Sequence, residues 1–150
     1  MEKKYKLLEN EIIKIKDDSD NLRTLYRIEA LVDIRDDVPT GSKGGFIEKE
    51  DNLSQFGGCW VFDDAKVFDN ARVCEDAIVY DSAVVMDNAI CSGISQIYGN
   101  ANVSGFAEIR NDARIFENAI VNGCAVVDSH ARVYGVSTVG GMSTVTDVAQ

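Results

Sequence analysis

The chain repeats a six-residue pattern fifteen times between residues 61 and 150, without an insertion or a deletion. The first five hexads read VFDDAK VFDNAR VCEDAI VYDSAV VMDNAI. Valine or isoleucine takes the first position of fourteen hexads, and Cys91 takes it in the other. The fifth position is alanine in twelve hexads and serine in three, and the third is always Asp, Glu, Asn, Gly or Ser. An amphipathic helix repeats every three to four residues and a half-buried strand every two, so a period of six indicates a different architecture.

Each hexad is typical of one side of a triangular coil. The β-branched first residue predicts a short strand whose side chain points inward. Asp, Asn or Gly two positions later predicts a corner, because these residues tolerate tight or left-handed backbone. Three sides close one coil, so each coil takes three hexads, and successive coils stack their strands in parallel. The repeat therefore predicts an all-β parallel β-helix of five triangular coils over residues 61–150.

The pattern [Val/Ile]-x-[Asp/Gly/Asn]-x-[Ala/Ser]-x resembles the hexapeptide repeat of left-handed β-helix proteins, over 90 of the 150 residues. The resemblance implies the left hand, since the usual crossover rule favours the right. The stretch GGFIEKEDNLSQFGGCWVFDDAKVFDNA also resembles uncharacterised phage and prophage hexapeptide-repeat proteins, which are often described as acyltransferase-like. This second resemblance implies a phage origin.

Residues 1–60 do not follow the hexads and are predicted to form a small β-strand cap. KYKLL, EIIKIK and LYRIEALVDI alternate as strands do, and residues 17–21 form a turn cluster between two of them. Pro39 and the run 41–45, GSKGG, predict a loop. A phosphate-binding loop is a weak alternative for GSKGG, because the Walker spacing and a following helix signal are missing. A cap is expected because the end of a solenoid exposes unpaired strand edges.

The charge distribution favours a basic protein partner. Asp and Glu number 25 against 15 Lys and Arg, a net charge of −10, which argues against direct nucleic-acid binding. Carboxylates repeated along a rigid rod could imitate a row of phosphates and attract a basic nucleic-acid-binding protein. Together with the phage resemblance, this suggests a counter-defence role. The acidic surface is predicted to comprise Asp63, Asp69, Glu75, Asp81 and Asp87.

Other classes of site find little support in the sequence. No apolar run is long enough to span a membrane, and the charged start MEKKYKLLENEIIKIK does not resemble a signal peptide. Cys59, Cys74, Cys91 and Cys124 show no metal-binding spacing, so no metal and no cofactor are expected. The expected location is the cytoplasm, that of the host cell if a phage encodes the chain, with the thiols reduced.

The alternative function is a hexapeptide-repeat acyltransferase, a class that the resemblance implies and that uses a histidine near a subunit cleft. The single histidine, His130, is expected to stack on Asp112, three hexads earlier. By the same spacing Arg110 should lie beside Asp128, and Arg114 beside Arg132, so Arg110, Arg114 and Arg132 are candidates for binding an anion. Ordinary charge ladders on a solvated face are the favoured interpretation, because no loop interrupts the repeat to build a deeper site.

A column of five aromatic residues is the strongest interaction signal. Starting from the first hexad, the second position of every third hexad is aromatic and holds Phe62, Tyr80, Tyr98, Phe116 and Tyr134, which we call the aromatic column. Val84 and Ile120 are expected on the same side. Cross-strand stacking alone could account for the column, but a long exposed apolar stripe is uncommon on a monomer, and aromatic residues are enriched at interfaces. A homo-oligomer, with a trimer favoured, is predicted to bury it; a nucleotide-stacking platform ranks lower because its surroundings are not basic.

The sequence therefore predicts a non-enzymatic interaction protein that works through rigid outer faces. The acyltransferase that uses His130 and Asp112 remains the alternative.

Overall fold

The computed structural model describes residues 2–146 and the backbone of residues 148 and 149. The described chain is an all-β solenoid of about six turns, whose stacked parallel strands form the three sides of a prism. Its one helical segment in that range is the short 3₁₀ turn η1, Glu50–Asn52. The all-β parallel solenoid confirms the predicted fold class, with one turn more than the five predicted.

The strands are short in the solenoid and long only in the N-terminal hairpin. The sheet that continues into the hairpin, the cap sheet, contains β1 Tyr5–Lys16, β2 Leu22–Ala30, β3 Lys43–Ile47, β5 Lys66–Val67, β8 Val84–Val85, β11 Asn102–Val103, β14 Ile120–Val121 and β17 Thr138–Val139. The sheet beside the aromatic column, the column sheet, contains β4 Trp60–Val61, β7 Ile78–Val79, β10 Gln96–Ile97, β13 Arg114–Ile115, β16 Arg132–Val133 and β19 Val148–Ala149. The third, the groove sheet, contains β6 Arg72–Val73, β9 Ile90–Cys91, β12 Glu108–Ile109, β15 Val126–Val127 and β18 Thr144–Val145.

The hexad positions have the predicted structural roles. First-position residues from Val61 to Val133 are completely buried, as are the fifth-position alanines from Ala65 to Ala131. Every third-position residue from Asp63 to Gly141 has a positive φ, which places it at a left-handed corner. Each strand pairs with the strand three hexads later, as Gln96 pairs with Arg114. The small fifth-position side chain leaves room inside the prism next to each corner.

The hairpin of β1 and β2 extends the cap sheet at its N-terminal edge. The predicted turn at residues 17–21 joins these two antiparallel strands. The two strands predicted within residues 4–16 are one strand, β1, whose register shifts between Leu8 and Ile12. The strand predicted over residues 25–34 ends at Ala30, where the Ala30 N–H bonds to the carbonyl of Ser42.

The prediction of a loop over residues 41–45 was wrong for residues 43–45, because Lys43, Gly44 and Gly45 belong to strand β3. This strand runs parallel to β5 and antiparallel to β2, so it connects the hairpin to the solenoid. A Cβ on Gly44 would lie 2.4 Å from the Val61 carbonyl oxygen, and one on Gly45 would lie 2.6 Å from that of Ala65. The glycines are present because the strand lies directly against the turn below, and not because the chain reverses there.

Winding begins two sides before the first recognised hexad, and these two sides together with β19 at the other end make the additional turn. β3, the parallel bridge of Leu53 to Val73, and β4 form three sides of an irregular first turn. Ile47 and Leu53 are six residues apart, but Leu53 and Val61 are eight apart. The two extra residues between Leu53 and Val61 break the period and concealed this turn in the sequence.

Lys4 and Tyr5 fasten the start of the hairpin to this first turn. The buried Lys4 ammonium donates hydrogen bonds to the carbonyls of Gly57 and Cys59, each at 3.0 Å, and lies 3.3 Å from the Cys59 sulfur. Burial lowers the pKa of Lys4 below its usual value. The Tyr5 hydroxyl donates to the Leu53 carbonyl, and its ring meets Trp60 edge to face. The charged group is tolerated because these carbonyls replace water.

The far end of the solenoid departs from the three-hexad spacing. Arg132 pairs with Val148, whereas the regular spacing would pair it with Gln150. The final hexad was predicted to continue in register, but two of its members, Asp147 and Gln150, lie outside the described residues. Within the range that the structure does describe, no helix is long and apolar enough to cross a lipid bilayer.

Candidate interaction faces

The aromatic column forms a continuous stack along one face of the prism. Ring centroids are 4.8 Å apart for Tyr80 and Tyr98, 5.1 Å for Tyr98 and Phe116, and 5.3 Å for Phe116 and Tyr134, with interplanar angles of 12° or less. Phe62 meets Tyr80 edge to face at 6.3 Å. Each residue directly follows a strand of the column sheet, so the spacing of parallel strands sets the spacing of the rings. The stack itself was predicted from the three-hexad spacing.

Stacking covers the faces of the rings and leaves their edges outward. All five column residues are half-buried. Tyr80 also donates a hydrogen bond from its hydroxyl to Gln96 Oε1 at 3.1 Å, and burial raises its pKa. The column is therefore less exposed than a bare apolar stripe would be. Each stacked pair stabilises the sheet by roughly 0.2–1 kcal/mol, and the ring edges remain available for contact with another surface.

Val84 and Ile120 do not lie on the face of the column, so their predicted placement was wrong. Both belong to the cap sheet, in β8 and β14. A sixth-position residue precedes the next first-position residue on the same strand, so it belongs to the following side of the triangle. Val84 packs instead against an apolar cluster centred on Leu25, Phe46 and Phe68, where the hairpin meets the outer surface of the cap sheet.

His130 and Asp112 form the predicted pair. His130 Nδ1 lies 3.0 Å from Asp112 Oδ2, and the histidine side chain is 83% exposed. The hydrogen bond from His130 is the main cause that lowers the pKa of Asp112, and Arg132 adds to it. This arrangement orients the ring and leaves Nε2 facing solvent. Its surroundings are an open depression lined by Gly93, Ile94, Asn111, Asp112, Ser129 and His130.

The three candidate anion-binding arginines differ in what they already contact. Arg110 pairs with Asp128 at 3.2 Å. Arg132 donates to the carbonyls of Asp112 and His130 at 2.8 Å, and its Nη2 is 3.7 Å from Asp112 Oδ2. Arg114 makes no ion pair with any residue that the structure describes, and its buried Nε has no hydrogen-bond partner there. Arg114 is therefore the one of the three left to meet an external group.

The two edges of the column carry opposite charges near Phe116. Arg114 precedes Phe116 in the turn and pairs through its backbone with Arg132. Glu117 follows Phe116 at the corner, with a φ of 57°, and is exposed. In the described part of the chain Glu117 also makes no ion pair. One guanidinium and one carboxylate thus flank the aromatic stack at the same height, and neither forms an ion pair within the described part of the chain.

The predicted acidic surface lies at corners, where four of its five carboxylates bond to the turn below. Asp63 accepts a hydrogen bond from the backbone N–H of Asp81, Glu75 from Gly93, Asp81 from Gly99, and Asp87 from Gly105. The five acids are spread over three corners, with Asp63 above Asp81, Asp69 above Asp87, and Glu75 on the third. No corner therefore presents a row of more than two of them.

A groove on the groove sheet was missed by sequence reasoning. It consists of two adjoining pockets of about 420 and 530 Å³ that share Asp51, Arg72 and Ile90. Phe106 borders one pocket and Phe56 the other. The non-repetitive segment 49–56 forms one wall, so the hexad pattern alone could not reveal it. The available signal was an arginine and an isoleucine at outward sixth positions, three hexads apart.

Among the residues with a described placement, no cluster of His, Cys, Asp and Glu is arranged to hold a metal ion. Comparison with known proteins returned no match, either to a protein-family model or to a curated sequence.

Proposed function

We propose that this protein is a non-enzymatic interaction protein that assembles as a parallel homo-oligomer, with a trimer favoured, through the aromatic column. The observation that carries the proposal is the half-buried ring stack flanked at one height by the unpaired Arg114 and Glu117. Aromatic residues and arginine are enriched in protein interfaces, and a closed rotational assembly uses the same surface on every subunit.

A parallel assembly would pair Arg114 of one subunit with Glu117 of another. If the rotation axis runs parallel to the solenoid, the side of one column that carries Arg114 lies beside the side of the neighbouring column that carries Glu117, at the same height. Arg114 of each subunit then faces Glu117 of the next, and the Phe116 rings lie near the axis. An antiparallel arrangement would not bring these two residues together at equal heights. The charge pair therefore supports the parallel arrangement specifically.

A charge exchange tests the proposal. Arg114→Glu should place two carboxylates opposite each other, and Glu117→Arg two guanidinium groups, so each substitution should weaken assembly about tenfold or more. The double variant restores opposite charges and should assemble nearly as well as the wild type. Molar mass by light scattering over a concentration series measures all four proteins, and circular dichroism confirms that each is folded.

Two outcomes would contradict this proposal. A wild-type protein that stays monomeric at every concentration would remove the self-interface. Assembly that both single variants weaken and the double variant fails to recover would exclude the Arg114–Glu117 pairing. His130→Gln is the matched control, because it changes an exposed group near the column sheet without touching either partner.

A basic protein is the proposed external partner, as expected for a counter-defence inhibitor of phage origin acting in the host cytoplasm. The corners that carry Asp69 and Asp87 join the cap sheet to the groove sheet, away from the aromatic column, and the corner that carries Glu75 joins the groove sheet to the column sheet. Glu75 is exposed, whereas Asp87 is half-buried and Asp69 is half-buried and lies 3.4 Å from Arg23 Nη1. These carboxylates support attraction of a basic surface, and four free cysteines fit a reducing compartment. Neutralising Asp69 and Asp87 to Asn should slow association with such a partner, measured as an on-rate at low and high salt.

One observation favours an acyltransferase as the second candidate. The bond between Asp112 and His130 Nδ1 orients the ring as in a carboxylate-supported general base, with Nε2 free. Under this candidate, acetyl-coenzyme A should raise the thermal midpoint of the wild type. With an added amine or hydroxyl acceptor that takes the acetyl group and loses its proton to His130, His130→Ala should abolish release of the coenzyme A thiol without changing oligomer mass. Release of thiol that is unchanged by His130→Ala would exclude this role.

A further inference from the structure

The groove on the groove sheet has the size and composition of a small-ligand site. Its two pockets, of about 420 and 530 Å³, fall within the range usual for such sites. The apolar part includes Ile90, Phe56 and Phe106, and both phenylalanine side chains are more than 60% exposed. Asn70 and Asn88 add amide groups along one side. A ligand could therefore cover apolar side chains that solvent now contacts.

The charges in the groove leave a surplus of one cation. Lys49, Arg72, Glu50 and Asp51 line it, and Lys3 neutralises Glu50 at 2.7 Å, which leaves two cations against Asp51. Lys49 donates a hydrogen bond to Asn70 Oδ1 at 3.2 Å. Arg72 is exposed and makes no ion pair with any residue in the described range. Lys66, the other basic residue of positions 61–90, lies on the cap sheet and donates to the Asp64 carbonyl. Arg72 is thus an unneutralised guanidinium in the most acidic part of the chain.

We infer that this groove binds a small organic monocarboxylate with an apolar or aromatic tail. Arg72 holds the carboxylate, because a guanidinium matches a carboxylate with two parallel hydrogen bonds. Ile90 with Phe106 or Phe56 covers the tail. Asp51 selects against dianions such as phosphate, because it leaves only one net positive charge for the ligand to neutralise. The site is independent of the aromatic column, which lies on another sheet.

Titration with 4-phenylbutanoate and its uncharged amide, 4-phenylbutanamide, tests the inference. The full-length protein is followed by ¹H–¹⁵N correlation spectra, with inorganic phosphate as a third probe. We expect saturable shifts of the Asp51, Arg72, Ile90 and Phe106 amides with the carboxylate, and much weaker shifts with the amide or with phosphate. The probe pair differs only at the group that Arg72 is inferred to bind.

Three variants are expected to weaken, to strengthen and to leave unchanged the affinity for 4-phenylbutanoate. Arg72→Gln should weaken binding of 4-phenylbutanoate about tenfold, the usual range for losing a charge-assisted hydrogen bond. Asp51→Asn should strengthen it roughly twofold to fivefold by removing a like charge. Lys66→Gln removes the same charge from the cap sheet and should leave affinity unchanged. Equal affinity for carboxylate and amide, or binding that Arg72→Gln does not weaken, would overturn the inference.

Discussion

At the scale of single residues, the corners decide which side chains the repeat accepts. Eight solenoid corners hold non-glycine residues with φ between 54° and 60°, a conformation that costs most L-residues roughly 1–2 kcal/mol. Asp81 is one of them, with a φ of 59°, and its Oδ2 accepts the N–H of Gly99 at 3.0 Å. The Asp81 carboxylate thus stabilises the backbone of the next turn through this hydrogen bond, whether or not it also contacts a partner.

Asp81→Ala should therefore lower the free energy of unfolding by roughly 1.5–3 kcal/mol, through lost left-handed tolerance and a lost hydrogen bond. Asp81→Asn keeps both properties and should change the free energy of unfolding by less than about 0.5 kcal/mol. Urea denaturation compares the two, with Ser82→Ala as a neighbouring exposed control. Equal losses for the alanine and asparagine variants would show that charge, and not corner geometry, sets the effect.

At the scale of elements, β3 joins two different kinds of β-structure. Its backbone pairs with the hairpin on one side and with the first regular turn on the other. Gly44 makes this possible, because a side chain there would collide with the Val61 carbonyl and with Ile28 Cγ1, 2.8 Å away. The cap thus depends on close backbone contact at two residue pairs, Gly44 with Val61 and Gly45 with Ala65.

Gly44→Ala should cost roughly 1–3 kcal/mol in the free energy of unfolding, as overpacking of a buried site does. We also expect faster hydrogen exchange at the Phe46 amide, which bonds to the Ala65 carbonyl at 3.0 Å. Lys43→Ala, which removes only an exposed pair with Glu11, is the control. A Gly44→Ala variant as stable as Lys43→Ala, with unchanged exchange, would disprove the close contact.

The regular turns could be predicted from the sequence, whereas the first turn and the groove could not. From residue 61 onward the uninterrupted period fixes which residues face inward, which form corners and which stack, so the aromatic column and the His130–Asp112 pair were predictable. The first turn was not, because two extra residues after Leu53 shift the period and the paired glycines resemble a loop. The groove was not predictable either, because one wall comes from that irregular segment.

At the scale of the whole molecule, the three sides of the prism carry different surfaces. The cap sheet continues into the hairpin, which packs on its upper part. The column sheet presents the stacked rings with Arg114 and Glu117 at their edges, and the groove sheet presents Arg72 and exposed apolar residues. Assembly through the column leaves the groove sheet open. The proposed self-interface and the inferred ligand site are therefore compatible in one molecule.

Molar mass by size-exclusion chromatography with light scattering, on the wild type and on Tyr98→Asp with Phe116→Asp, tests the central claim most directly. We predict that the wild type elutes with three times the chain mass of 16.4 kDa, and that the double variant remains folded and elutes as a monomer. A wild type that is monomeric throughout, or a double variant that keeps the wild-type mass, would contradict assembly through the aromatic column.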